Sequence, residues 1–135
     1  MAVTKSENQI VWSSANNLSV SSASNGTSDA FTFNGGSINA TITCKADNNT
    51  TPASGDTVEF YLLYTNGDPD GTGGDEYDTT TQGTLLCVLD TNLTDPAQAT
   101  ITVNPSAKGG KIYAVNKSAT HAITVAATMY ETIVS

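Results

Sequence analysis

The chain has 135 residues, a formal net charge of −8 at pH 7 and no arginine, and only 13% of its residues are charged. Binding to nucleic acid requires cations that displace counterions from phosphates, so this charge excludes a nucleic-acid partner and disfavours an anionic membrane surface. The length fits one domain with a core of its own. Threonine is abundant and favours strands, whereas serine and asparagine favour turns. The composition therefore predicts an all-β protein.

Residues 1–29 are polar and contain two short apolar segments, 10–12 and 18–20. We interpret residues 1–29 as an extended N-terminal arm or as edge strands. An arm can add a strand to a neighbouring subunit, so its apolar side chains are candidates for partner binding. Trp12 either anchors to that neighbour or caps the core of its own chain. The predicted partner-binding residues are Ile10, Val11, Trp12, Leu18 and Val20.

From residue 30 onward, apolar and polar residues alternate with the period of two that is typical of half-buried strands. The alternation is clear in residues 38–45, and residues 57–64 form the most apolar strand of the chain. Turn residues separate the segments at the spacing expected of a sandwich or barrel. We therefore predict that residues 30–135 form one antiparallel β-sandwich of about eight strands, with a jelly roll as one form of it.

The two cysteines, Cys44 and Cys87, lie in alternating apolar segments. The sequence is compatible with two reduced core thiols and with a disulfide that joins two strands. Two cysteines 43 residues apart in a chain with one histidine do not form a zinc site.

A search for catalytic groups predicts that the chain is not an enzyme. His121 is the only histidine, and no Gly-x-Ser-x-Gly motif is present. Glu59, Glu76 and Glu131 are the candidates for paired carboxylates, but Glu59 and Glu131 lie at the polar positions of predicted strands, where a solvated carboxylate is ordinary. We predict no catalytic residue and no required cofactor.

Residues 66–78 form an acidic segment inside a long loop. Asp68, Asp70 and Thr72 alternate like the first ligands of a calcium-binding EF-hand loop, but the twelfth position is Thr79 instead of a bidentate glutamate. A solvated acidic hairpin tip therefore fits better than a calcium site. The candidate metal ligands are Asp68, Asp70, Asp75 and Glu76.

Two stretches of the sequence carry a resemblance to a known group of proteins. They are residues 55–68 (GDTVEFYLLYTNGD) and residues 108–131, which include KIYAVNKS and AITV. Together they resemble short structural proteins of tailed bacteriophages, found among head and decoration proteins. The resemblance covers roughly residues 55–131 and includes no catalytic motif.

The resemblance implies a non-enzymatic virion protein on the outer surface of the capsid. Its partners would be the major capsid protein and further copies of the same chain, with a trimer as one homo-oligomer, and its role would be that of a decoration or cement protein. The alternative is a tail-associated or cell-surface carbohydrate-binding module. Sugar-binding faces present exposed aromatic rings, and the spacing of Trp12, Tyr61, Tyr77, Tyr113 and Tyr130 predicts no single platform of that kind.

Overall fold

The computed structural model describes residues 1–66 and 77–135, in which it contains ten β-strands and no helix. Within this part of the chain, no helix is long and apolar enough to cross a membrane. The strands are β1 (Val3–Gln9), β2 (Leu18–Val20), β3 (Asn25–Thr27), β4 (Phe31–Thr32), β5 (Ser37–Asn48), β6 (Thr57–Thr65), β7 (Thr84–Asp90), β8 (Ala97–Val103), β9 (Gly109–Asn116) and β10 (Ile123–Val134).

The strands form two antiparallel sheets that pack face to face. Sheet one has the order β1-β10-β5-β8, with β2 also paired to β10, and sheet two has the order β3-β9-β6-β7, with β4 also paired to β9. The ten strands thus occupy eight positions, because β1 and β2 share one position and β3 and β4 share another. By position the orders are 1-8-3-6 and 2-7-4-5, which is a jelly roll. The predicted antiparallel β-sandwich is confirmed, and the strand count is ten instead of about eight.

The core lies between the sheets and follows the period of two. Ile42 on β5 and Met129 on β10 point inward from sheet one, and Phe60 on β6 and Ile112 on β9 point inward from sheet two; none of the four is exposed to solvent. Their neighbours along each strand point outward and are mostly threonine, lysine or tyrosine. The alternation therefore creates two outer faces in addition to the core, and a surface function can use one of these faces, a sheet edge or the loops at either end of the sandwich.

The N-terminal segment is paired with the sandwich of its own chain. All seven residues of β1 pair with β10, and β3 pairs with β9 from Asn25 to Thr27. Six of the seven β1 residues are exposed, so this strand extends the sheet without covering the core. A tight turn at Ser13 and Ser14, both with positive φ, returns the chain after Trp12 and places that side chain between the sheets.

Trp12 is expected to be one of the largest single contributors to stability. Its side chain is 1% exposed, and its indole Nε1 has no hydrogen-bond partner. Replacement by alanine removes this buried apolar area and leaves a cavity, so Trp12→Ala should lower the free energy of unfolding by about 3–5 kcal/mol. Trp12→Phe should lower it by less than half of that loss, because the unsatisfied indole N–H disappears with the ring.

The measurement is urea unfolding followed by far-ultraviolet circular dichroism, which does not depend on the only tryptophan. Val11→Ala, at the exposed neighbouring position, is the matched control and should change the free energy of unfolding by less than about 0.5 kcal/mol. A Trp12→Ala midpoint equal to that of the parent chain would contradict the burial argument.

Candidate functional site: the outer face of sheet two

Three of the five predicted partner-binding residues lie in the core of their own chain. Ile10, Trp12 and Val20 are buried, and Leu18 is half-buried against the same core. Trp12 therefore caps its own core in this structure. Val11 is the one member of the set that exposes more than a third of its surface. Contacts of these side chains within their own chain thus hold the N-terminal segment against the sandwich.

The predicted metal ligands Asp68, Asp70, Asp75 and Glu76 lie outside the described residues. Among residues 1–66 and 77–135, no three His, Cys, Asp or Glu side chains come together as a potential metal site. Cys44 and Cys87 are both free thiols, on strands from opposite sheets. The contact with the Cys87 thiol, and then burial, raise the pKa of Cys44 well above its usual range, so the core thiol stays protonated.

One end of the sandwich contains a buried carboxylate that the sequence did not mark. Asp56 is the last residue of the β5–β6 loop. Its Oδ1 accepts a hydrogen bond from Ser118 Oγ at 2.7 Å. Its Oδ2 accepts from His121 Nδ1 at 2.6 Å, from Asn48 Nδ2 at 3.0 Å and from the Ala53 amide at 2.9 Å. We call these five residues the Asp56 network.

The Asp56 network also connects to the β7–β8 turn. The Thr91 amide and hydroxyl both donate to the Asp56 carbonyl oxygen, at 3.1 and 2.9 Å, and Asn48 Nδ2 donates to Thr91 Oγ1 at 3.0 Å. One carboxylate and its backbone therefore join the β5–β6 loop, the β7–β8 turn and the β9–β10 hairpin. Burial alone would raise the pKa of Asp56, but the hydrogen bonds from Ser118, His121, Ala53 and Asn48 outweigh it, and the pKa lies well below the usual range.

The Asp56 network contains a serine, a histidine and an aspartate, but its geometry is not that of a nucleophilic triad. In a triad the serine hydroxyl donates to the imidazole, whereas Ser118 Oγ donates to the carboxylate. Ser118 is also fully buried and accepts the backbone amide of His121 at 2.9 Å. The arrangement holds three loops together and gives no substrate access to a nucleophile.

The outer face of sheet two gathers aromatic side chains that are far apart in the sequence. Tyr61 on β6 pairs directly with Tyr113 on β9, and Leu85 on β7 pairs with Tyr61 from the other side. The two tyrosine rings have centroids 6.0 Å apart and planes inclined by 44°. In the next row, Glu59 lies between Val115 and Val88. We call the surface of Tyr61, Tyr77, Tyr113, Leu85, Val88 and Val115 the tyrosine face.

Polar contacts fix the rings of the tyrosine face. Tyr61 donates its hydroxyl to Glu59 Oε1 at 3.1 Å, and this hydrogen bond raises the pKa of Tyr61. Lys111 places its Nζ 4.6 Å from the centroid of the Tyr77 ring, within the range of a cation–π interaction. The rings are half-buried, whereas Leu85 and Val88 are each 52% exposed. The face therefore combines oriented aromatic rings with accessible aliphatic side chains.

The expectation that the tyrosines do not come together is wrong for Tyr61 and Tyr113, whose rings lie side by side. Tyr61 and Tyr113 occupy outward positions on strands that are neighbours only in the folded sheet. The alternation placed Tyr61 on the face opposite Phe60, but the pairing of β6 with β9 was not visible in it. Tyr130 lies on the other sheet, where Lys5 Nζ is 5.7 Å from its ring centroid.

A second surface feature lies at the end of the sandwich where the β6–β7 and β8–β9 connections meet. An open cleft of about 360 Å³ is lined by Tyr64, Asn66, Asp78, Asn104, Ser106 and Ala107. The Tyr64 hydroxyl accepts the Asn104 amide at 3.1 Å, and Asn104 Oδ1 accepts the Ser106 amide at 3.0 Å. We call this the end cleft; it offers a carboxylate, two amides and a hydroxyl beside one aromatic ring.

Neither a protein-family model nor a curated protein matches the chain. Solved structures share its fold at low sequence identity. The CBM22-1 and GH10 modules of an endo-1,4-β-D-xylanase from Clostridium thermocellum match 94% of this chain over 24% of theirs, with 12% identity and a TM-score of 0.55. The C-terminal CBM6 of a marine laminarinase from Zobellia galactanivorans matches 96% of this chain over 99% of its own, with 14% identity and a TM-score of 0.47.

A protein derived from the SPBc2 prophage, YomS, matches 98% of this chain and 96% of its own, with 14% identity and a TM-score of 0.46. At such identities the xylanase likeness shows a shared β-sandwich fold and nothing about ligands, because β-sandwiches serve unrelated functions. The function must therefore be argued from the surfaces of this chain.

The Asp56 network predicts a specific loss of stability in acid. The folded-state pKa of Asp56 is depressed below its unfolded value of about 3.9, so its contribution is complete above about pH 4 and is lost as the pH falls through the folded-state pKa. Asp56→Asn should remove this contribution, cost about 3 kcal/mol at pH 7 and flatten the pH dependence of stability below pH 4.

The measurement is urea unfolding of both chains between about pH 2 and pH 7. Asp47→Asn, at an exposed position on β5, is the control and should follow the parent chain at every pH. Parallel pH profiles for Asp56→Asn and the parent chain would show that the buried carboxylate carries no pH-dependent stability.

Proposed function

We propose that this chain is a non-enzymatic structural protein of a virus particle, which decorates the outer surface of the capsid and contacts the major capsid protein. The observation that carries the proposal is the tyrosine face. Its exposed aliphatic residues, Leu85 and Val88, border two paired tyrosines on a rigid sheet. Contiguous apolar surface of this kind marks a contact site for another macromolecule.

The composition of the tyrosine face matches a protein interface better than a small-ligand pocket. Tyrosine is enriched at interface cores, where its ring buries apolar area and its hydroxyl keeps a polar partner. Tyr61 already has that partner in Glu59, so docking can cover the ring without leaving its hydroxyl unsatisfied. The surface is the outer face of a β-sheet, which fits the broad surface of a capsid protein.

Several of the few lysines of the chain lie close to the tyrosine face. The chain carries a net charge of −8, yet three of its five lysines, Lys108, Lys111 and Lys117, lie on or directly beside β9. Lys111 contacts the Tyr77 ring, so positive charge is available at the tyrosine face itself. The net charge of −8 of the whole chain keeps decorated particles from associating.

The proposed role requires a rigid body, and the fold supplies one. The two sheets enclose a continuous core, and the Asp56 network closes one end by linking three loops. Decoration of a lattice also calls for many copies of the chain. We therefore include self-association, as a homo-oligomer, in the proposed function.

The docking proposal is tested by binding of purified chain to particles that lack it. Leu85→Asp puts a charge directly beside Tyr61, on the β7 side of the tyrosine face, and should weaken binding by at least about tenfold. Leu93→Asp, the same substitution at an exposed leucine in the β7–β8 turn, is the matched control and should bind like the parent chain. Circular dichroism verifies that both variants fold.

Quantitative mass spectrometry of purified particles completes that test. The proposal expects hundreds of copies of the chain per particle, which is lattice-wide occupancy. A handful of copies would place it at the tail or a vertex, and equal binding by Leu85→Asp and Leu93→Asp would reject the tyrosine face as the contact.

A carbohydrate-binding module is the second candidate, and the end cleft favours it. Recognition of a sugar requires groups that donate and accept hydrogen bonds to neighbouring hydroxyls, beside an apolar surface for the ring. The Asp78 carboxylate accepts hydrogen bonds, and the side-chain amides of Asn66 and Asn104 both donate and accept them. Tyr64 and Ala107 supply the apolar wall. The fold shared with the xylanase modules is compatible with this role but does not select it.

The test of this candidate is binding to a glycan array that includes xylohexaose, followed by titration of each positive glycan. Asp78→Asn should weaken binding of a true ligand by about tenfold or more, because a carboxylate accepts stronger hydrogen bonds than an amide. Asp47→Asn serves again as the control. No binding above background on the whole array would reject the module and leave the virion proposal in place.

A further inference from the structure

Strand β8 forms an edge of sheet one, where it pairs with β5 on one side only. No other strand of the described residues lies on its opposite side in that sheet. Within residues 1–66 and 77–135, no backbone hydrogen bond of β8 reaches any element besides β5. Every second residue of the strand therefore presents its N–H and C=O groups away from β5 and toward solvent.

The other sheet edges of this protein carry features that prevent pairing with another chain. On β1, Lys5 and Glu7 place charges along the edge. The remaining edge strands β2, β3 and β4 are two or three residues long. Strand β7 has a register shift opposite Phe60 and Tyr61. Charges, short length and bulges are the usual protections of an edge strand.

Strand β8 has none of these protections. Its sequence AQATITV is seven residues long and contains no charge, no proline and no glycine, and its pairing with β5 is regular throughout. Threonine, isoleucine and valine are strong strand formers. In a chain of net charge −8, this uncharged stretch is also a place where two copies can approach with little electrostatic repulsion.

The side chains of β8 fit a second copy as well. Ala99 and Ile101 point toward the core and remain half-buried at the last strand of sheet one in the described part of the chain. Gln98, Thr100 and Thr102 are exposed on the outer face. A strand added at this edge would cover the apolar pair on one side and place threonine beside threonine on the other, which is a favourable cross-strand pair.

We propose that β8 is the self-association surface of this protein, and that two copies pair β8 with β8 antiparallel about a two-fold axis. Such pairing is isologous, because the same seven residues form the contact in both copies. Sheet one of each copy then joins sheet one of the other copy in a single continuous sheet. The proposal names the contact for the homo-oligomer included in the proposed function. It does not require docking to the capsid, because β8 contributes no residue to the tyrosine face.

The experiment uses the purified full chain without any virus particle, so its failure leaves the docking proposal standing. Sedimentation velocity over about 1 µM to 1 mM should show a concentration-dependent monomer–dimer equilibrium. Thr100→Lys puts a charge at the centre of the edge and next to its symmetry mate, and should weaken dimerisation by about tenfold or more. Thr41→Lys, the same substitution one strand inward on β5, should dimerise like the parent chain.

Hydrogen exchange of backbone amides locates the contact in the same samples. Alternate amides of β8 should exchange more slowly at high than at low concentration, while the amides of β1 should not change. A chain that stays monomeric over the whole range overturns the proposal. So does an oligomer whose β8 amides exchange equally fast at all concentrations, or one that Thr100→Lys leaves intact.

Discussion

The architecture depends on one constraint: a strand has two faces, and a chain that is 38% hydrophobic can cover only one of them. Each long strand directs its apolar residues to the space between the sheets, where Ile42, Phe60, Ile112 and Met129 exclude water. The residues on the outward side of the same strands must then tolerate exposure to water. On sheet one they are mainly threonines, whereas on sheet two they are tyrosines and aliphatic residues. The two outer faces of the sandwich therefore differ in chemistry, and only that of sheet two is rich in aromatic and aliphatic side chains.

Closure of the sandwich end is a separate requirement, because loops carry backbone groups that cannot be left unsatisfied. Asp56 meets it with a single buried carboxylate that accepts four hydrogen bonds from three side chains and one amide. The low pKa of Asp56 reports how strongly these partners favour its charge. A serine, a histidine and an aspartate thus come together for a structural reason. The orientation of the Ser118 hydroxyl distinguishes this network from a catalytic one.

The proposed function uses the parts of the molecule that the core does not. The tyrosine face offers apolar and aromatic contacts to a different protein, and the β8 edge offers backbone hydrogen bonds to another copy of the same chain. The tyrosine face points outward from sheet two, the β8 edge belongs to sheet one, and the two surfaces share no residue. This separation is what a lattice-decorating protein needs, since contacts to the coat and contacts between copies must not compete.

The sequence by itself determined the fold class, because the period-2 alternation of residues 38–45 and 57–64 is a local property of strands. It also showed which residues of a strand share a face, as Tyr61 does with Glu59, but it did not show that this face of β6 is an outer surface. Only the tertiary structure decided that β6 lies beside β9, that Trp12 folds back into its own core, and that Asp56 meets His121. Those contacts join residues far apart in the chain, and alternation carries no information about which strands become neighbours. The sequence did not predict the edge at β8 for the same reason, because whether a strand lies at a sheet edge depends on its place in the sheet order.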